Sequence, residues 1–323
     1  MLRTLIHNSV LRRIAAAALT LVGVAIFVFI MLRAIPGNQI TAGLGTEAAA
    51  LTPAQRLALE QYYGLDQPLF VQFFSWLGNL FTGNLGFSSR AQESVLELTL
   101  QSLSVTFELA LLSIVLAIAI GIPLGMLSAS KPDSPRDAFG QVVGLAGLSI
   151  PAFLLATTLM SVLASSFGYN PNGQTFAPLF ENPLLNLQQM LLPALVLGFG
   201  IAAPIMRTTR TAVLEIRAND FIRTARAKGV PERRLKVKHV LGNALVPIVT
   251  MTGLQLGYLL GGAVVVEQIF SIPGIGRQVL LGIQQKEYAL VQSTVLVIAL
   301  TFVIVNLLTD LAYRLIDPRV RAE

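Results

Sequence analysis

Six long runs without a single charged residue limit what this chain can fold into. They cover residues 14–32, 109–130, 138–180, 182–206, 240–266 and 289–309. The third is interrupted by Asn170-Pro171-Asn172-Gly173, so its span is expected to end near Phe167. About 20 apolar residues in a helix cross a hydrocarbon layer of about 30 Å. Six such runs predict an all-α, polytopic membrane protein with six transmembrane helices. The competing reading, buried helices of a large soluble core, is opposed by composition. Only 12% of the 323 residues are charged, about half the share found in soluble domains. The first run follows Arg12 and Arg13 and resembles a signal peptide. It exceeds the 7–15-residue apolar core of such peptides, which favours a retained helix.

Basic residues give the orientation. Of 23 Lys and Arg, eighteen fall on one side: the N-terminus, the loop after span two, the loop after span four, and the C-terminal tail. Ten of them lie in 207–243 alone. The positive-inside rule puts that side, and both termini, in the cytoplasm. The net charge of +6 is then a consequence of topology, and no nucleic-acid partner is implied. The chain has no Cys and only His7 and His239. It therefore offers no disulfide, catalytic thiol or histidine-built metal centre. It also lacks a Gly-x-x-x-x-Gly-Lys-Ser/Thr phosphate loop, so no ATP hydrolysis, no catalytic residue and no bound cofactor are expected of it.

Two segments outside the spans carry local signals. In the long outer loop, 35–102, Thr52-Pro53-Ala54-Gln55 reads as a capped helix start. Gly64 reads as that helix's left-handed end. Residues 69–81 read as a second helix, too aromatic for a free surface, lying at the membrane interface or against the spans. In the inner loop, 207–243, residues 220–229 read as a short helix. Asn219 or Asp220 can cap it, Lys228 lies in its last turn, and Gly229 can end it. Pro231 starts another helix, over 232–241. A solvated basic loop is the plain reading of this region. Phe221, Ile222, Ala225 and Ala227 stand among those charges, and a short helix of that kind suits a groove on another protein.

Within the spans, Glu108 sits near the outer end of the second, where a carboxylate faces a cavity, a partner or the interface rather than lipid. Asn306, Asp310 and Arg314 are four apart on one helix face. Their spacing fits a local ion pair, or a part in an inner gate. Glu108, Asn306 and Asp310 are the candidate pathway or gate residues. Pro123, Pro151, Pro193 and Pro204 are candidate kinks. Gly253, Gly257, Gly261 and Gly262 allow close helix approach, as at an interface with a second subunit.

With Arg223-Thr224-Ala225 placed four residues ahead of Gly229, the inner loop resembles the cytoplasmic Glu-Ala-Ala motif of the membrane subunits of bacterial ABC importers. Arg replaces the family's Glu and Thr its first Ala. Gly242 stands where the motif usually ends in proline, and Pro247 lies five residues on. The run Arg223-Thr224-Ala225-Arg226-Ala227-Lys228-Gly229 is similar to the dipeptide/oligopeptide branch. So are Gly64-Leu65-Asp66-Gln67-Pro68-Leu69, Gly83-Asn84-Leu85-Gly86, Thr106-Phe107-Glu108-Leu109, Glu267-Gln268-Ile269-Phe270 with Pro273-Gly274, and Asp317-Pro318-Arg319. The long outer loop resembles that branch's B-type subunit. The resemblance covers essentially the whole chain, 1–323, as one permease domain of the type I importer fold in the bacterial inner membrane.

The resemblance implies a heterodimer with a C-type permease, two cytoplasmic ATPases that bind ATP and Mg2+, and an extracytoplasmic solute-binding protein. Asp220, Phe221, Arg223, Thr224, Ala225, Arg226, Ala227, Lys228 and Gly229 would form the helix that couples to the ATPase. Peptides are the implied cargo. Nickel chelates, glutathione, opines, haem and oligosaccharides pass through similar permeases. The opposing class, a stand-alone secondary transporter, would need acidic or His groups deep in several spans, and only Glu108 and Asp310 approach that.

Overall fold

The computed structural model describes residues 2–34, 40, 51–62, 64–88, 90–168 and 175–316. It is almost wholly helical. The order is α1 (Leu2–Ala34), α2 (Pro53–Tyr62), α3 (Leu69–Phe81), a hairpin of β1 (Phe87–Ser88) and β2 (Glu93–Ser94), α4 (Val95–Ser130), α5 (Pro135–Ser149), α6 (Ala152–Phe167), α7 (Pro183–Ala218), α8 (Asp220–Ala227), α9 (Glu232–Arg234), a π-helical stretch (Leu235–Leu241), α10 (Gly242–Gly262), α11 (Val264–Ile269), α12 (Ile275–Gln284) and α13 (Tyr288–Ile316). Among the described residues five helices are long and apolar enough to cross a membrane, six if the bent α5–α6 pair counts as one span.

The third span bends sharply at Pro151, one of the candidate kinks. α5 and α6 meet at 99°. Ile150 is extended (φ −82°, ψ 116°) because the proline after it disfavours helical geometry there. Pro151 then stands at the N-cap of α6. Pro123, Pro193 and Pro204 lie inside continuous helices instead. α6 ends at Phe167, with Gly168 left-handed at φ +63°. Asn170-Pro171-Asn172-Gly173 and Asp317-Pro318-Arg319 fall outside the described residues.

By contacts, the chain divides into two units. One holds Met1–Ser104 and Pro273–Val303. Here α1 packs Val28 and Leu32 against Tyr288 and Val291 of α13. α2 starts on the expected capping box: the Thr52 N–H donates to Gln55 Oε1 (2.9 Å), and the Gln55 N–H to Thr52 Oγ1 (3.3 Å). Gly64 ends it at φ +65°, with Leu65 N–H reaching Glu60 O at 2.8 Å. α3 has the bounds the sequence gives it, and its aromatics stack on α1 through Phe29, Phe73 and Trp76. The hairpin is tied by Glu287, which accepts from Ser88 Oγ (2.7 Å) and from the Arg90 N–H (3.1 Å).

The other unit holds Val105–Ile272 and Ile304–Glu323. Its core gathers Leu109, Met190, Ile205, Ile222, Leu235 and Ile248. Small residues let α4 touch α7 backbone to backbone. A β-carbon on Gly125 would stand 2.6 Å from the Met206 carbonyl oxygen and from Thr209 Cβ. Gly253, one of the glycines expected at an interface with a second subunit, faces Thr309 within this unit, and a β-carbon there would collide with the Thr309 side chain. Gly261 faces open space.

Candidate functional site

The segment with the strongest sequence signal is built on the end of α7. That helix does not stop at Met206. It continues through Arg207, Arg210 and Arg217 to Ala218, because charged side chains do not break a helix and the stretch 207–218 holds no Gly or Pro. The expected 207–243 loop is thus largely helical. Asn219 alone separates α7 from α8, its backbone turned to φ −72°, ψ 145°. The Asn219 side chain does not cap α8; its amide donates back to the Glu215 carbonyl at 3.2 Å. Asp220 sits in the first turn, favourable for the helix dipole, and pairs with Arg223 at 3.3 Å.

α8 ends as the sequence demands. The Lys228 N–H bonds to Thr224 O (3.0 Å), Gly229 takes φ +79°, and the Val230 N–H reaches back to Ala225 O (3.2 Å). Those two apolar residues also pack on the core, completing a Schellman ending. Arg226 Nε bonds to Glu232 Oε1 at 2.6 Å, linking α8 to α9. That hydrogen bond holds the Arg226 guanidinium above its usual pKa.

The apolar residues of α8 divide between two directions. Ile222 is 0% exposed and sits in the chain's own core with Leu235 and Val240. Ala225 is half-buried on the same side. This corrects the expectation that Ile222 and Ala225 enter a partner's groove: they anchor α8 to this chain. Phe221, 47% exposed, remains outside with Arg223, Thr224, Arg226, Ala227 and Lys228. The helix is rooted on one face and presents an aromatic ring, a methyl group and three cations on the other.

A polar clamp with no counterpart in the sequence reading steadies the end of α7. Asp137, in the first turn of α5, is 0% exposed. Both its oxygens accept from Arg210, at 2.8 Å from Nε and 2.7 Å from Nη2. The Ser128 hydroxyl and the Asp133 N–H complete its hydrogen bonds. One turn or two further along α7, Arg217 Nη1 donates to the carbonyls of Ala129 (2.5 Å) and Ser130 (3.1 Å), the last residues of α4. A cation at those free carbonyls also complements the helix dipole. α4, α5 and α7 are thereby joined just before α8.

Glu108 lies on α4, half-buried, beside Asn186 of α7. Asn186 donates to the Ala177 carbonyl at 3.0 Å. A second carboxylate, quoted in the sequence only as part of a motif, is fully buried: Glu267 of α11 accepts from Thr106 Oγ1 of α4 at 2.6 Å. Asn306 is half-buried in α13. The side chains of Asp310 and Arg314 lie outside the described residues, so their pairing with it is not described. Among the described residues no three His, Asp or Glu gather as metal ligands.

Comparison with known proteins gives a consistent picture. Residues 121–322 match the family described as binding-protein-dependent transport system inner membrane component. Residues 1–110 match the N-terminal family of the same membrane components. A dipeptide transport system permease protein of Alkalihalophilus pseudofirmus is 36% identical over 330 residues, covering 96% of this chain and 98% of that protein. A glutathione transport system permease protein of Salmonella typhimurium is 35% identical over 315 residues, covering 97% and 99%. Among solved structures, the inward-facing MetNI methionine ABC transporter aligns at TM-score 0.53 and 22% identity, over 68% of this chain and 96% of that one. That likeness supports the fold.

Proposed function

Because the chain belongs to the family of binding-protein-dependent transport inner-membrane components, we propose that it forms half of the pathway of an ATP-driven peptide importer and that α8 couples it to a cytoplasmic ATPase. The observation that carries the coupling role is the division of α8. Ile222 and Ala225 lock it to the core, leaving Phe221, Ala227 and the cations as a compact surface for another protein. A helix docked on its own chain and gripped by a partner moves with both, as a lever must.

The clamp of Asp137, Arg210 and Arg217 gives that lever its stiffness. Motion imposed on α8 passes through Asn219 to an α7 that is tied to α4 and α5. ATP binding in the partner ATPases would bias the spans between two discrete arrangements. Hydrolysis belongs to those partners, since this chain has no phosphate loop. α8 and both termini lie in the cytoplasm by the distribution of basic residues. A second permease completes the pore, and an extracytoplasmic binding protein delivers the cargo. The peptide class rests on the dipeptide and glutathione transport named for relatives that match over almost the full chain.

The test is purification from the native membrane in mild detergent, with co-purifying chains identified by mass spectrometry and peptide uptake measured in reconstituted vesicles. A second six-span chain, ATPase subunits and ATP-dependent peptide uptake are expected. Isolation alone or as a homodimer, under conditions that preserve other membrane complexes, would overturn the reading.

A further inference from the structure

Arg33 lies in the last turn of α1, at the edge of the membrane, and among the described residues every acceptor that holds it is neutral. Its Nε and Nη2 donate to Gln72 Oε1 of α3 at 3.2 and 2.8 Å, and its Nη1 to the Phe29 carbonyl at 3.4 Å. The guanidinium carbon lies 3.4 Å above the Phe29 ring, a cation–π contact. Gln72 is itself fixed, donating to the Gln67 carbonyl at 2.8 Å. Among the described residues no carboxylate pairs with Arg33. Among the described residues, a full positive charge is therefore held in a set place without an anion.

That charge stands on the rim of a groove between α1 and α3 of about 590 Å³, within the range of small-molecule sites. Apart from Arg33, it is lined by apolar residues, among them Phe29, Ile30, Leu69, Phe70 and Phe74. Phe70 is 66% exposed. The groove follows α1 from Arg33 back to Ile26, roughly 10 Å along the helix at 1.5 Å per residue. It therefore runs from the level of lipid headgroups into the hydrocarbon.

An occupant must bring apolar length and an anion at one end, in register with the membrane. A phospholipid supplies both. A neighbouring protein helix would fill the groove but would have to bring its own carboxylate to the membrane boundary. We propose that this groove is a site for an anionic phospholipid, with an acyl chain against Phe29, Ile30, Phe70 and Phe74 and the negatively charged headgroup on Arg33. The inference rests on the membrane-spanning fold and not on the coupling role of α8.

Trp76 provides the probe. It is the only tryptophan of the chain, and its ring packs against Phe29 and Phe73 of the groove at 6.1 and 6.0 Å. The assembled complex would be placed in phosphatidylcholine nanodiscs containing either brominated phosphatidylglycerol or brominated phosphatidylcholine. Emission from Trp76 is isolated as the difference between the parent and Trp76→Phe complexes. An anionic headgroup near one basic side chain is favoured by about fivefold, so bromine on phosphatidylglycerol should quench at correspondingly lower mole fraction. Arg33→Gln should abolish that preference and Arg33→Lys should keep most of it. Equal quenching by the two lipids, or a preference unchanged in Arg33→Gln, overturns the proposal. Protection of Trp76 from both lipids also overturns it, because the groove is then covered by protein.

Discussion

The Asp137–Arg210 pair offers the most quantitative test of how the coupling region is held. Asp137 is 0% exposed, and the Arg210 side chain is 25% exposed. Asp137→Asn keeps the shape but removes the charge and turns an NH2 donor toward groups that already donate. Removing one partner of a buried pair costs about 3–5 kcal/mol. Water reaches part of Arg210, which places the loss at the lower end, about 3 kcal/mol. Replacing both residues with apolar ones leaves no orphan charge, so Asp137→Leu with Arg210→Met should be milder than the sum of the single changes. A coupling energy of roughly 2 kcal/mol or more is expected for side chains in direct contact. The assay is thermal inactivation of the assembled complex across the four-member cycle, ranked by midpoint because large membrane complexes unfold irreversibly. The single Asp137→Asn complex should lose midpoint by several degrees and lose peptide-stimulated ATP hydrolysis relative to its basal rate. A midpoint within about 1 °C of the parent, or strictly additive effects, would refute the clamp.

Further outcomes follow from other contacts. Gly229→Ala places a β-carbon on a residue at φ +79°, which costs about 1–2 kcal/mol; uptake should fall at unchanged membrane levels, with Gly229→Pro worse, as measured by vesicle uptake against immunoblot. Gly125→Ala would push a methyl group onto the Met206 carbonyl at 2.6 Å, costing about 1–3 kcal/mol. Gly253→Ala would overlap the Thr309 side chain, whose Cγ2, Oγ1 and Cβ all crowd the added carbon, and should also lower the midpoint in the same thermal assay. Glu108→Gln removes a carboxylate beside Asn186, and insertion should be unaffected when scored by protease protection of tagged termini.

The crossings were legible because lipid demands about 20 apolar residues and leaves little room for ambiguity. Local endings were legible for the same kind of reason. Thr52 with Gln55, Gly64 and Gly229 each satisfy a backbone requirement that few residue types meet. Direction was less legible. Ile222 and Phe221 are both apolar residues on one short helix, and sequence does not tell a chain's own core from a partner's groove. The extension of α7 past Met206 was hidden by treating charge as a boundary, although charge ends a membrane span and not a helix. The clamp was invisible, since Asp137 and Arg210 are 73 residues apart and carry no mutual signal. Glycines were legible only as sites of close approach: Gly253 packs on Thr309 of the same chain, Gly261 faces open space, and Gly125, in an ordinary-looking span, makes one of the tight helix contacts.

The central claim is that the exposed face of α8 meets an ATPase. The chain contains no cysteine, so Phe221→Cys introduces a single thiol on that face without altering the anchored one. Cross-linking it with a short reagent that is thiol-reactive at one end and photoreactive at the other in the assembled complex, with and without ATP, should join this chain to the ATPase subunit, with a yield that changes with nucleotide. Ile222→Cys, on the buried face, should give no such product. If Phe221→Cys links only to lipid or to the second permease, or if Ile222→Cys joins the ATPase equally well, α8 is not the coupling element.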